Sequence, residues 1–253
     1  MSKKVRTYIG IAMIIAGLAC AEYIGWHEYQ KSKNEDIYTK VRKEAVDDKK
    51  KDEQTPEETY ISPIDFDSLK QTNPDIYAWI EIPDTQVNYP IVQSADDDAY
   101  YLNHTIDGQE GYPGSIYTEA LNSKDFDDFD TVIYGHDMKD GSMFQNLHNY
   151  EDSQYLREHP EIYIYTPDKK LTYRIFAAVV YGEDHILKTY DFTDTGRRQQ
   201  YIDSIYNCRD MQSSFDESVQ VTPESHLLTL STCIADKPNN RYLVEAVLVE
   251  DNE

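Results

Sequence analysis

The chain has 253 residues, enough for one large domain or two small ones, and its formal net charge is -23 at pH 7. Residues 59–253 hold 36 acidic and 13 basic side chains, which is nearly all of the acidic excess. A surface this acidic repels nucleic-acid phosphates and anionic lipid headgroups, so we expect no nucleic-acid partner for the folded part.

The N-terminal segment has the composition of a membrane anchor. Residues 1–7 are basic, and residues 8–26 are apolar apart from Glu22, with a helical length of about 28 Å. Basic residues before an apolar span indicate a cytoplasmic N-terminus, so the sequence predicts a single-pass protein whose bulk lies outside the cell membrane. Two alternatives stay open: a signal peptide cleaved near Cys20, and a lipoprotein modified at Cys20.

A charged segment separates this anchor from the folded part. Residues 27–58 alternate Lys, Glu and Asp with few apolar side chains, which is typical of a solvated helix or a disordered stalk. Residues 59–253 are expected to form one extracellular domain.

The first part of that domain shows short elements. Asp65 is an expected N-cap for a helix, and residues 76–82 read as a short helix that passes into a strand. Residues 87–92 read as a strand at a sheet edge, because Pro90 cannot donate a ladder hydrogen bond. Residues 115–118 form another expected strand.

An acidic run at residues 125–130 resembles a calcium loop only superficially. It lacks the glycine and the distal glutamate of an EF-hand, so we interpret it as a solvated acidic turn. No CxxC or HxxxH pair occurs in the chain, and no metal or other cofactor is predicted.

The middle of the chain combines strands with helical insertions. Residues 131–135 form an apolar strand signal that ends at His136. Strands are expected at 162–165 and 171–181. Helices are expected at 140–147, 153–158 and 196–211. That last helix carries Cys208 on its apolar stripe, where a core role is expected. These elements predict a mostly-β domain, closed or sandwich-like, with helical insertions.

The C-terminal part places reactive side chains at strand ends. Residues 226–232 read as a buried strand that delivers Cys233, and Arg241 opens a second apolar run at 242–249. Neighbouring strands would bring Cys233 and Arg241 face to face across the loop. A thiolate beside a guanidinium supplies a nucleophile and an oxyanion donor, and His136 is the expected base.

Two motifs together resemble the sortases, the cysteine transpeptidases that attach proteins to Gram-positive cell walls. They are Thr-Leu-Ser-Thr-Cys (229–233), with Arg241 eight residues on, and Tyr-Gly-His-Asp-Met-Lys-Asp-Gly-Ser-Met-Phe (134–144). The resemblance extends from about residue 65 to 249. It implies an eight-stranded β-barrel, and the helices before the barrel and at 196–211 look like those of class B. Class C resembles the chain less, and class A stays open.

The resemblance implies acyl transfer. Cys233 would attack the carbonyl after a substrate threonine, His136 would exchange protons with the departing and incoming amines, and Arg241 would hold the oxyanion. Substrates would be proteins with LPxTG- or NPxTN-like sorting signals, and the acceptor a peptidoglycan cross-bridge amine or another amine. Ser231 and Asn103 are further candidates for contacting substrate.

Alternatives to these assignments stay open. His104 is a rival base, and a Cys208–Cys233 disulfide would consume the thiol. Two other functions compete with transpeptidation. One is a cysteine peptidase that releases its product to water, and the other is a non-catalytic surface adhesin domain.

Overall fold

The computed structural model describes residues 3–45 and 60–252. They fall into two compact units, Met1–Lys40 and Val41–Glu253. The boundary expected between residues 58 and 59 lies outside the described residues. The second unit contains every predicted catalytic side chain.

The N-terminal unit is helical. Helix α1 (Lys3–Ala45) includes both the predicted anchor and most of the predicted stalk. Within the described residues, no helix combines the length and the apolar character that a membrane crossing requires.

Nine strands form one sheet in the second unit. In chain order they are β1 (Ile76–Glu81), β2 (Asn88–Val92), β3 (Ile116–Thr118), β4 (Asp130–Tyr134), β5 (Glu161–Tyr165), β6 (Lys170–Gly182), β7 (Ser214–Phe215), β8 (Leu227–Cys233) and β9 (Asn240–Asn252).

Eight of the strands close into a barrel. The order β5-β1-β2-β3-β4-β8-β9-β6 returns to its start because β5 also pairs with β6, and β7 adds to β6 from outside the ring. The pairs β2–β3 and β4–β8 are parallel and the others are antiparallel. The predicted eight-stranded barrel with helical insertions is therefore confirmed.

Short helices join and cover the strands. They are α2 (Phe66–Thr72), α3 (Ser153–Glu158), α4 (Ile186–Thr189) and α5 (Thr195–Tyr206), with 3-10 turns at Tyr100–Leu102 and Gln145–Glu151. Asp65 caps α2 as predicted, since its carboxylate accepts the Ser68 N–H at 3.0 Å. The apolar stripe of α5 packs on the barrel through Tyr201, Ile202 and Ile205, all buried.

Four predicted elements differ from the structure. The helix expected at 196–211 ends earlier, at Tyr206, so Cys208 lies beyond it. Residues 76–82 contain no helical turn, because this apolar run is covered on both faces as β1. Strand β2 is not an edge, since β1 and β3 flank it. Pro90 is tolerated because β3 pairs only with Ile91 and Val92. The helix expected at 140–147 is a 3-10 turn that begins later, at Gln145.

The end of α1 belongs to the barrel unit. Val41 and Ala45 are buried, and the Ala45 carbonyl accepts the Asp65 N–H at 2.9 Å. Arg42 donates to the Asn88 carbonyl at 2.9 Å. The compact unit thus begins earlier in the chain than the change in composition suggests.

Candidate active site

Strands β4 and β8 bring His136 and Cys233 to the same edge of the sheet. The two strands are parallel, with Tyr134 opposite Ser231, and each reactive residue lies two positions beyond that pair. The Gly135 N–H continues the ladder to the Ser231 carbonyl at 3.1 Å. Neighbouring strands lie about 4.8 Å apart, so the thiol and the imidazole lie close to each other at this end of the two strands.

Gly135 is required at the turn from β4 to His136. A Cβ there would lie 2.5 Å from Ile116 Cδ1 and 2.7 Å from Phe144 Cγ, both on buried side chains. The chain after the turn is tied back by the Phe144 N–H, which donates to the His136 carbonyl at 2.9 Å. Close packing against Ile116 and Phe144 thus explains why the Tyr-Gly-His motif has a glycine at this position.

Cys233 ends β8 and is exposed, and it pairs in register with Arg241 of β9. The prediction that these two residues face each other is confirmed. A cleft of about 260 Å³ collects the three predicted catalytic residues, because His136, Cys233 and Arg241 all line it. Cys233 is a free thiol, as is Cys208, so the structure contains no disulfide between them.

The tautomer of His136 follows from its partner. Its Nε2 lies 2.9 Å from the Leu102 carbonyl oxygen, which can only accept, so Nε2 carries the hydrogen. Nδ1 is then the nitrogen that can gain and lose a proton. Gly114, at φ 69°, packs on this same carbonyl so closely that a Cβ would collide with it. The glycine therefore helps to fix the acceptor that orients His136.

Tyr117 lines the cleft, and Tyr112 lies beside His136. The Tyr112 ring lies 5.2 Å from the His136 ring, and Tyr117 stacks on Tyr134 at 5.3 Å. Burial raises the pKa of both Tyr112 and Tyr117, and the charge of a Cys233 thiolate adds to the increase. These phenols stay neutral and serve as apolar walls with a polar tip.

The guanidinium of Arg241 is held by its own loop. Its Nη1 donates to the Pro238 carbonyl at 3.1 Å and to the Asn240 carbonyl at 2.8 Å. An arginine has five N–H donors, so the bonds at Nη1 leave the N–H groups of Nη2 and Nε as donors for a substrate. The two loop carbonyls thereby fix the orientation of the guanidinium.

The other predicted residues separate into two groups. Ser231 is buried and lines the cleft beside Cys233. Asn103 is exposed and is not among the residues that line the cleft. His104 stacks on Tyr100 at 3.8 Å, and its Nδ1 contacts the Tyr100 carbonyl at 2.7 Å, so its ring is engaged away from the thiol.

Several residues around the site were not singled out from the sequence. Leu102 contacts His136 through its backbone, so its side-chain type carries no signal. Glu183 and Asp184 line the cleft from the segment after β6. His148 reaches the Cys233 carbonyl with Nε2 at 3.0 Å, although nothing in its sequence context marks it.

Cys208 follows α5 and is partly buried against the core. Its Sγ donates to the Ser204 carbonyl at 3.3 Å, and burial raises its thiol pKa. An uncharged, hydrogen-bonded thiol of this kind is unreactive, in line with the core role expected for it.

The acidic turn at 125–130 uses its carboxylates within the loop. Asp128 accepts the Ser123 N–H at 2.7 Å and the Asn122 amide at 3.0 Å, and the Ser123 hydroxyl donates to Asp125. That hydroxyl bond is the main cause of the lowered pKa of Asp125. Across the described residues, no group of three or more His, Cys, Asp or Glu is arranged to hold a metal ion.

Comparison with known proteins identifies the family. A family profile described as the sortase domain matches residues 80–249. A sortase B from Listeria monocytogenes is 30% identical over 256 residues, covering 97% of this chain and 99% of the relative. A sortase B from Staphylococcus aureus is 30% identical over 169 residues, covering 66% of this chain and 67% of the relative.

Solved structures agree with that result. The Staphylococcus aureus sortase B-substrate complex has a TM-score of 0.73 at 25% identity, covering 88% of this chain and 99% of its own. Bacillus anthracis sortase B in complex with AAEK1 has a TM-score of 0.70 at 28% identity, covering 87% and 98%. The chain therefore belongs to the sortase family and, within it, to the class B sortases.

Proposed function

We propose that Cys233, His136 and Arg241 catalyse the transfer of a sorting-signal peptide to a cell-wall amine through a thioester. The observation that carries the proposal is the register of three strands, which gathers these side chains in one cleft. Sortases are cell-wall transpeptidases, so the family supports this class of reaction. The sortase B-substrate complex of Staphylococcus aureus supports a peptide as the acyl donor.

The first half of the reaction forms the thioester. Cys233 Sγ, as thiolate, attacks the carbonyl carbon after the substrate threonine, and the carbonyl electrons move to oxygen. The Nη2 and Nε groups of Arg241 donate to that oxyanion. The oxyanion then collapses, the C–N bond breaks, and His136 Nδ1 gives its proton to the departing amine.

The second half releases the acyl group. An incoming amine attacks the thioester carbonyl, and His136 Nδ1 accepts its proton as the new C–N bond forms. The Cys233 thiolate then leaves. The Leu102 carbonyl stabilises the imidazolium at both stages, because it accepts from Nε2 whichever form Nδ1 takes.

The charge of the cleft suits the second substrate. Glu183 and Asp184 are exposed residues of the lining, and an amine acceptor is a cation until it gives up a proton. We infer that these carboxylates raise the local concentration of the acceptor. The acceptor this predicts is a cationic amine, either that of a peptidoglycan cross-bridge or another amine.

We also propose that residues 8–26 anchor the protein in the cell membrane, with the barrel outside. The support is the basic residues before an apolar stretch and the exposure of large side chains along α1, such as Ile14, Ile15 and Leu18.

The test of the transpeptidase is product analysis with an added amine. Wild-type protein is incubated with a fluorescent sorting-peptide library, with and without a peptidoglycan-like amine, and intact mass detects the acyl-enzyme. Cys233→Ala should lose both the acyl-enzyme and the transfer product. Product released only to water would identify a peptidase, and an unmodified, unreactive Cys233 would identify a non-catalytic surface domain.

A further inference from the structure

A histidine outside the proposed catalytic set holds the backbone of the nucleophile. His148 lies in the 3-10 turn Gln145–Glu151, and its Nε2 is 3.0 Å from the Cys233 carbonyl oxygen. Its ring stacks on Tyr242 of β9, with centroids 4.9 Å apart and planes 27° apart. The imidazole is thus fixed on one side by a ring and at one nitrogen by the residue that carries the thiol.

The other nitrogen of this ring is also engaged. His148 Nδ1 lies 3.0 Å from Glu151 Oε1, and Asp137 Oδ2 lies 3.7 Å from Nε2. Both ring nitrogens are engaged, one by the backbone of Cys233 and the other by the Glu151 carboxyl. The groups that face the ring are therefore Cys233 from β8, Tyr242 from β9, Asp137 from the turn after β4, and Glu151.

The same network reaches the loop between Cys233 and Arg241. Glu151 Oε1 accepts from Gln212 Nε2 at 3.0 Å, and Gln212 Oε1 accepts from Lys237 Nζ at 2.6 Å. The Tyr242 hydroxyl donates to the Gln212 carbonyl at 3.1 Å. The loop is thereby held at its start, its middle and just past its end.

This loop also supplies the carbonyls that aim Arg241. Because Pro238 and Asn240 accept from the guanidinium, a shift of the loop would move the oxyanion donor as well as the thiol. Displacements of about 1 Å at reacting groups are enough to lower turnover.

We propose that His148 is a positioning residue that sets the geometry of Cys233 and of the loop leading to Arg241. The inference rests on the proposed role of Cys233 as nucleophile. His148 does not act as the base, since both of its nitrogens are occupied by the contacts above.

Three variants of the full chain test the inference. His148→Ala should lower kcat roughly tenfold and leave KM within about twofold, because the loss of a charge-assisted hydrogen bond disturbs chemistry rather than peptide binding. His148→Gln should restore most of kcat, since its amide can still donate to the Cys233 carbonyl. His159→Ala is the matched control: this histidine is also half-buried, contacts a tyrosine ring, and pairs with Asp84, away from the loop. His159→Ala should keep the wild-type kcat and KM, because the contacts of His159 with Asp84 and Tyr155 do not involve the loop.

Two results would overturn the inference. They are wild-type kcat in a folded His148→Ala, and no recovery of kcat in His148→Gln relative to His148→Ala. Failure of the proposed function is a separate outcome, because wild-type protein would then form no acyl-enzyme by intact mass.

Discussion

Replacing Asp130 and Glu245 by their amides should remove a loss of stability that the native barrel undergoes as the pH rises. Both carboxyls are buried, and Thr229 and Tyr201 lie between and beside them. Four oxygen pairs are in hydrogen-bonding contact: Tyr201 Oη with Glu245 Oε1 at 2.9 Å and with Thr229 Oγ1 at 3.0 Å, and Thr229 Oγ1 with Asp130 Oδ1 at 2.9 Å and with Glu245 Oε2 at 3.0 Å.

Counting hydrogens gives the protonation state of these groups. The two hydroxyls supply two hydrogens for four contacts, so both carboxyls must be protonated for every contact to be a hydrogen bond. Burial, the largest cause, raises the pKa of Asp130 from 3.8 to about 7. Burial and the nearby charge of Asp130 raise the pKa of Glu245 well above its ordinary value. The count of hydrogens and the effect of burial on the pKa both indicate that the two carboxyls are protonated.

The sign and size of the effect follow from these shifts. A raised pKa in the folded state means a stability contribution that is fully present below about pH 4 and is lost as the pH rises to about 7. At about 1.4 kcal/mol per pKa unit, Asp130 accounts for roughly 4 kcal/mol. Glu245 acts in the same direction, since its pKa is also raised by burial. This is a large share of the ~5–15 kcal/mol that stabilises a typical protein.

The assay is urea unfolding of wild type, Asp130→Asn/Glu245→Gln and the control Glu224→Gln between about pH 4 and pH 8. An amide has one hydrogen more than an acid, so the double variant should be less stable at low pH. Its disadvantage should shrink or reverse as the pH rises. Exposed Glu224 should leave the wild-type slope unchanged. Parallel curves for wild type and the double variant would refute the reasoning.

Four further outcomes are expected. Arg241→Lys should lower turnover by about 10²–10³, nearly as much as Arg241→Ala, because an ammonium lacks the guanidinium fork; near-normal turnover on a sorting peptide would mean that only charge is needed. His136→Ala should change the shape of the pH–rate profile as well as its height, and an unchanged profile in the residual activity would direct attention to His104. Cys208→Ala should keep most activity and lose about 1 kcal/mol of unfolding free energy, measured with urea; a folded but inactive variant would indicate a second essential thiol. Protease added to intact protoplasts should digest the barrel, and full protection would contradict the proposed topology.

Local patterns were sufficient for the strands that carry the site. Residues 226–232 and 242–249 are mostly apolar or β-branched runs on either side of a polar loop, a pattern that predicts two paired strands. The pairing of Cys233 with Arg241 followed from the length of that loop. The Asp65 cap was equally local, since it depends on a contact within a few residues, and the apolar stripe of α5 was visible from its helical spacing.

Contacts between distant segments were beyond the reach of these patterns. Pro90 indicated an edge strand, yet β3 pairs with β2 beyond that residue, and only the closed barrel decides this. Asn103 was a candidate for contacting substrate, but the residue of this segment that contacts His136 is its neighbour Leu102, through its backbone carbonyl. A backbone carbonyl is present at every residue, so no sequence pattern distinguishes this one.

The sequence by itself determined which side chains are the candidates for the chemistry: a thiol, an imidazole and a guanidinium, each next to the end of an apolar strand. Their side-chain types are local properties that one chain displays directly. Only the tertiary structure decided how they are held, through the parallel register of β4 and β8 and the contact from His148 to the Cys233 carbonyl. These features join residues far apart in the chain, and such contacts form only when the barrel closes and the separate strands take a common register.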